Sequence, residues 1–426
     1  MIMTMIRPET EMKDSGVEWI GDIPTNWRRS KLKYLGEYIN GYAFKPSDWS
    51  SKGHQIIRIQ DLTGSNSGEP NYFDGILDEK YRVVNGDILV SWAATLDAFV
   101  WKKEDGWLNQ HIFKAVPNEK IVKGYFLWLL KIAMDNMNND DKHGIVMQHV
   151  TIGLFNNYVV PLAPYTEQQA IVDYLDETCS KIDEIIAEAK ASINEYKKLK
   201  QSVIFEAVTK GLDKNVEMKD STIEFISSIP LNWKVCRIAT IYEESKETGR
   251  EDLPILMVSI NTGISEYEVG DDQRIRKVTR SDDKSIYKVV HHNDLVYNMM
   301  RAWQGGFGAA QVDGLVSPAY VVATPKSDVD SRYIEALLRT PIFTEKIHGL
   351  SYGVADFRLR LYWTYFKELR ICLPPIDEQR EIANYIANES KKIDMLIKEK
   401  TVLINDLEAY KKSLIYEVVT GKRRVV

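Results

Sequence analysis

The chain has 426 residues, 44% hydrophobic and 27% charged, which is the composition of a soluble globular protein with room for two to four domains. Its net charge of −6 and pI near 5.8 argue against a simple basic nucleic-acid binder, although the local field of a groove matters more than the sum. Three scattered cysteines (Cys179, Cys236, Cys372) lack metal spacing and fit a reducing, cytoplasmic setting; the most apolar run, 125–134, is broken by Lys131 and too short for a membrane span, and no leader peptide is expected.

In chain order, a short N-terminal extension leads into Met12-Lys13-Asp14-Ser15, then Glu18-Trp19-Ile20 and Ile23-Pro24-Thr25-Asn26-Trp27. The lead-in returns as Met218-Lys219-Asp220-Ser221, Glu224-Phe225-Ile226 and Ile229-Pro230-Leu231-Asn232-Trp233. Between the copies, 31–39 fits helix or strand equally. Gly41 to Pro46 is a loop by its Gly and Pro. Residues 56–60 form a short strand before the polar loop 63–70, and Asn85-Gly86 turns into a strand at 87–90. A helix is expected over 125–134 and an exit strand over 158–162. In the second part, strands at 255–258, 294–296 and 371–373 and a helix at 333–338 repeat this plan with different residues. Short strands with few helices and no regular alternation predict an α+β fold.

A longer repeat follows each globular part. Glu167-Gln168-Gln169 starts a stretch ending at Val208-Thr209, and Glu378-Gln379-Arg380 starts one ending at Val419-Thr420-Gly421. Lys181-Ile182-Asp183 recurs as Lys392-Ile393-Asp394, and Phe205 as Tyr416, all at one constant offset. Ile182, Ile186, Ala189, Ile193, Tyr196, Lys200, Val203 and Ala207 alternate steps of four and three, the seam of a heptad repeat. Ile393, Ile397, Lys400, Ile404, Leu407, Lys411, Leu414 and Val418 fill the matching slots. No Pro or Gly interrupts either stretch, so each is expected to form a helix of about 43 residues, or about 64 Å. A helix this amphipathic needs a partner, and the duplicate supplies one, so an intramolecular coiled coil is expected. A seam lysine either specifies pairing or lifts its head to water; the second reading is preferred for Lys200 and Lys411.

The expected organisation is an extension (1–15), a first globular domain (16–165), a long helix (166–211), a second globular domain (212–375) and a second long helix with a tail (376–426). Internal duplication implies pseudo-two-fold symmetry. The helices and lead-ins match closely while the globular interiors diverge. That is the pattern of one scaffold meeting two targets.

No catalytic signature is found: no phosphate loop, no dinucleotide fingerprint, no Asn-Pro-Pro-aromatic tetrad of an amino-methyltransferase, no zinc spacing. His291-His292 reads as surface histidine. Several residues suit nucleic acid. Arg28-Arg29-Ser30-Lys31-Leu32-Lys33 and Arg274-Ile275-Arg276-Lys277 with Arg280 are basic runs suited to phosphates, or else solvated faces. Arg301-Ala302-Trp303-Gln304-Gly305-Gly306 joins an Arg and a Gln, which read guanine and adenine, to an aromatic and to glycines that allow close approach. The alternative is a packed Trp in a tight turn. Lys45, Arg58, Gln60 and Arg358 are further candidates.

The lead-in Ser15 to Pro24 with Trp27, the run Pro374-Pro375-Ile376-Asp377-Glu378-Gln379-Arg380-Glu381-Ile382, and the endings Ala207-Val208-Thr209 and Val418-Val419-Thr420-Gly421-Lys422 resemble the specificity subunit of Type I restriction–modification systems. Ala163-Pro164-Tyr165 stands where Pro-Pro-Leu is commoner. The resemblance implies two target-recognition domains that each bind one half of a split, asymmetric double-stranded DNA site. They are spaced by two long antiparallel helices, which also dock two methyltransferase subunits. It implies that restriction subunits join this core, that S-adenosylmethionine, ATP and Mg are bound by those partners, and that this chain holds no cofactor and catalyses nothing. The rival expectations are a coiled-coil scaffold without DNA affinity and a nucleic-acid-modifying enzyme with an unrecognised site.

Overall fold

The computed structural model describes residues 5–65, 68–139, 150–250, 252–260, 263–265, 284–353 and 359–425. Helices and short strands mix in an α+β fold. The chain divides into two compact units, Met1–Glu188 with Val402–Val426, and Ala189–Thr401. Both boundaries fall inside long helices, Tyr165–Lys210 and Ile376–Val419. Each unit therefore holds one globular part and a stretch of both helices.

Gly211 (φ 76°) and Gly421 (φ 74°) end the two helices. Their N–H groups return to the carbonyls of Ala207 and Val418, in the left-handed conformation that a side chain would strain. In the first unit, Ile182 and Ile186 on one helix and Ile404 and Leu414 on the other are buried, and Leu407 is half-buried. Glu167 lies by Arg7, whose N–H bonds Lys422 O, while Asp183 meets Lys411 at 2.6 Å. The two stretches thus run antiparallel. In the second unit, Ile393 is buried and Ile193, Tyr196, Val203 and Ile397 are half-buried. There Lys200 meets Asp394 at 2.7 Å, again antiparallel because Gly211 lies beside Glu378. The seam lysines therefore do not lift their heads free into water. Each is drawn sideways by an aspartate on the facing helix.

The duplication extends to the sheets. Among the described residues the first unit carries an antiparallel sheet in the order Gly36–Asn40, Ile112–Pro117, Ile88–Ser91, Asp97–Val100. The second carries Tyr242–Ser245, Tyr320–Pro325, Leu295–Asn298, Phe307–Ala309 in the same order and sense. Apolar side chains fill both: Leu89, Val90 and Phe113 in one, Leu295, Tyr297 and Val322 in the other. The exit strand Val159–Leu162 pairs with Arg28–Lys31, as Arg370–Leu373 pairs with Lys234–Arg237. Met5–Ile6 pairs with Arg423–Arg424 in the first unit.

A repeated clamp ties each globular part to a helix start. Trp27 and Trp233 are fully buried, and each indole Nε1–H donates to the first glutamate of a long helix: Glu167 at 3.0 Å, Glu378 at 2.9 Å. The next residue is a glutamine, 1% exposed in both copies. Gln168 accepts from Val122 N–H (2.8 Å) and donates to Ala163 O (3.0 Å). Gln379 accepts from Asp330 N–H (2.9 Å) and donates to Pro374 O (2.8 Å). A buried amide must satisfy both its ends, and these do.

Some expected elements shift. Within 31–39 a tight turn, Leu32–Tyr34, precedes the strand Gly36–Asn40. The strand expected over 56–60 is His54–Ile57, and Gln60 lies in a short helix, Ile59–Thr63. Asp61, third residue of that helix, accepts the Arg58 N–H at 2.8 Å and so supports the helix start. The strand expected over 255–258 is Met257–Ser259. Among the described residues no helix is long and apolar enough to cross a membrane, and no group of three or more His, Cys, Asp or Glu is placed to hold a metal ion.

Candidate nucleic-acid interface

In each unit three segments meet at one residue. Trp92 follows the strand Ile88–Ser91; its N–H donates to His111 O (3.5 Å) and its carbonyl accepts from Val150 N–H (3.1 Å). Met299 follows Leu295–Asn298; its N–H donates to Ala319 O (3.4 Å) and its carbonyl accepts from Leu361 N–H (2.9 Å). The backbone bonds are equivalent, while the side chains around them are not. A duplicated scaffold thus presents two different surfaces at one place in the fold.

Around the second meeting point, Arg301 opens a short turn, Ala302–Gln304, closed by Gly305 at φ 85°. The Arg301 side chain is exposed, and among the described residues its guanidinium has neither a hydrogen bond nor an ion pair. Trp303 is half-buried against the unit's core; its Nε1–H donates to Met300 O (3.0 Å) and its ring meets His348 edge-on at 5.3 Å. Gln304 lines a groove of about 740 Å³ with Lys200, Ile204, Arg339 and Ile386. Arg301 is not among the groove's lining residues. Arg301 and Gln304 share a turn, but the structure does not join them in that groove. Beneath it, burial pushes the Glu335 carboxyl up, and Arg339, 2.7 Å away, pulls it back. Flanking Leu361, which bonds Met299, Tyr352, Tyr362 and Tyr365 are exposed, and Tyr352 stacks on Tyr365 at 6.5 Å.

In the first unit, Arg58 lies over the Trp49 ring at 4.8 Å. Such a stack holds the cation without using its N–H donors. Tyr42 packs edge-on to Phe44 (5.0 Å) and Tyr81 (5.7 Å), and Lys80 covers Tyr81 at 4.9 Å. Lys45 and Gln60 are exposed. In the basic run, Arg29 is occupied by Ser15 O at 2.6 Å, and Arg28 is exposed. Arg274, Arg276, Lys277, Arg280 and Arg358 lie outside the described residues.

The aromatic partners Trp49, Tyr42 and Tyr81, the exposed tyrosines of the second unit, and Gln110 with His111 escape sequence reasoning. No motif marks them, because they converge from separate loops. The available signal is the strand duplication, which aligns the turns once the strands are known.

Residues 24–195 match the family model described as the Type I restriction modification DNA specificity domain. The specificity subunit of the Type I restriction enzyme EcoBI of Escherichia coli is 24% identical, over 88% of this chain and 82% of that protein. The specificity subunit of the Type I restriction enzyme MjaVIII of Methanocaldococcus jannaschii is also 24% identical, over 95% of this chain and 94% of that protein. Over most of its length the chain is thus similar to Type I specificity subunits. The match to a DNA specificity domain and to these relatives supports a role in DNA sequence recognition. A chain from a solved structure, described as the basis of complex assembly and conformational transition of the type I R-M system, has the same fold. It is 13% identical, with a TM-score of 0.67 over 94% of this chain and 99% of that one.

Proposed function

We propose that each unit reads one half of a split, asymmetric double-stranded DNA site, and that the paired helices set the gap between the halves. The observation that carries this reading is the duplicated sheet and clamp with unlike side chains at the shared meeting point. The helix pair also seats two methyltransferase subunits, and restriction subunits join that assembly in the cytoplasm. The chain itself performs no chemistry; S-adenosylmethionine, ATP and Mg belong to the partners. Because the net charge is −6, binding by the isolated chain is weak, and partners supply much of the phosphate attraction. A gel shift with and without methyltransferase subunits measures that difference.

The decisive experiment lengthens the spacer. Four residues inserted into the first long helix add about 6 Å, against about 3.4 Å per base pair. Site selection with the assembled complex should return the same two half-sites, with the gap changed by one or two base pairs. An unchanged gap refutes the role of the helices as spacer.

A further inference from the structure

The two meeting points carry their long polar side chains in different turns. In the second unit the turn after the strand holds Arg301, and the turn bonded to it, Ser317-Pro318-Ala319, has no side chain long enough to reach a base. In the first unit the arrangement is reversed. The turn after the strand is short and apolar at Ala93 and Ala94, with Ala94 in the left-handed region at φ 59°. The turn bonded to it is Asn109-Gln110-His111.

We infer that Gln110 reads a base of the first half-site and that His111 is its positioning residue. The assignment rests on the DNA-recognition reading above. The turn is closed without Gln110: Ile112 N–H bonds Asn109 O at 3.0 Å, and His111 O takes the Trp92 N–H. The Gln110 amide instead meets His111, Nε2 to Nε2 at 3.1 Å. One amide N–H donated to the imidazole leaves the amide oxygen and the other N–H unspent. That donor–acceptor pair complements the major-groove edge of adenine.

The imidazole is itself held. Its ring lies 5.5 Å from Trp92, its backbone N–H donates to Asn109 Oδ1 (3.4 Å), and its Nδ1 is buried without a hydrogen-bond partner among the described residues. Because the amide nitrogen can only donate, Nε2 accepts from Gln110 and the imidazole proton sits on Nδ1. Fixing an amide before binding lowers the entropy lost on contact.

The test uses the full chain assembled with its methyltransferase subunits and a library with both half-sites randomised, read by methylation. Gln110→Ala should lose roughly 5- to 150-fold of discrimination at one base pair of one half-site, with the other half-site unchanged. Gln110→Glu should shift that same position towards cytosine, whose amino group a carboxylate accepts. His111→Ala should blur the same position and no other, which a merely structural role would not do. An unchanged consensus in Gln110→Ala, or an even loss at both half-sites, overturns the assignment while leaving the recognition reading intact. A parent complex with no consensus at all removes both.

Discussion

Lys200 on the first long helix places its ammonium 2.7 Å from Asp394 Oδ2 on the second. The same pair is made again by Lys411 and Asp183, at 2.6 Å, in the other unit. Each helix contributes one lysine and one aspartate at equivalent slots. A parallel, in-register pairing would set lysine against lysine and aspartate against aspartate. Antiparallel pairing sets opposite charges together in both places, so the charge pattern selects the orientation. The pairs are partly exposed, and each is worth about 0.2–1 kcal/mol. A double-mutant cycle with Lys200→Ala and Asp394→Ala should give a coupling of that size in urea denaturation, shrinking with salt. No coupling would reduce the pair to a passive surface contact.

The buried glutamines should matter more. Gln379→Met keeps the volume but strands Asp330 N–H and Pro374 O, at about 1–3 kcal/mol for each unpaired group. Gln168→Met should do the same to Val122 N–H and Ala163 O. Chemical denaturation should show both variants weakened well beyond the helix ion-pair variants.

Arg301 is exposed, and among the described residues its guanidinium has neither a hydrogen bond nor an ion pair. Arg301→Ala should relax one position of the second half-site by about 1–3 kcal/mol and leave the first half-site alone. Weakening that is uniform across sequences would place the guanidinium on phosphate. Gln304→Ala should do less to base preference, because that side chain lines the groove beside the helices. Site selection with the assembled complex separates these outcomes.

His291 donates its Nε2–H to Glu247 (3.0 Å), lies 3.6 Å from Asp313, and gives its backbone N–H to Asp294. The hydrogen bond to Glu247 is the largest of the influences that raise its pKa, with Asp313 adding to it and burial opposing it. A raised value in the folded state means stabilisation that is complete below the unfolded value of about 6.5. It is lost as pH rises through the folded value. The effect is small because the side chain is 43% exposed. The urea midpoints of the parent and of His291→Gln should differ at pH 5.5 and converge at pH 8.5.

The long helices and lead-ins are legible in the sequence because their contacts demand particular chemistry. Trp27 needs a carboxylate at Glu167, and Gln168 needs both its amide ends, so the duplicate retains Trp233, Glu378 and Gln379. The sheets are legible only in part, since any apolar side chain serves at Leu89 or Leu295 and the copies drift apart. The helix at Ile59–Thr63 is missed because one aspartate, Asp61, supports it against the apolar pattern. The Lys200 contact is missed because its aspartate lies 194 positions away along the chain. Gln110 stays hidden for a related reason: its equivalent is Pro318, and no motif search aligns the two.

The clamp also has a genetic consequence. Its Trp, Glu and Gln side chains are repeated in both copies and the glutamines' partners are backbone groups, so the chemistry of the clamp does not depend on which globular part it holds. Exchanging 28–162 with 234–373 should yield a folded chain whose methylation consensus has its two halves transposed. New specificities would then be reached by recombination between alleles, with no need for the scaffold to change.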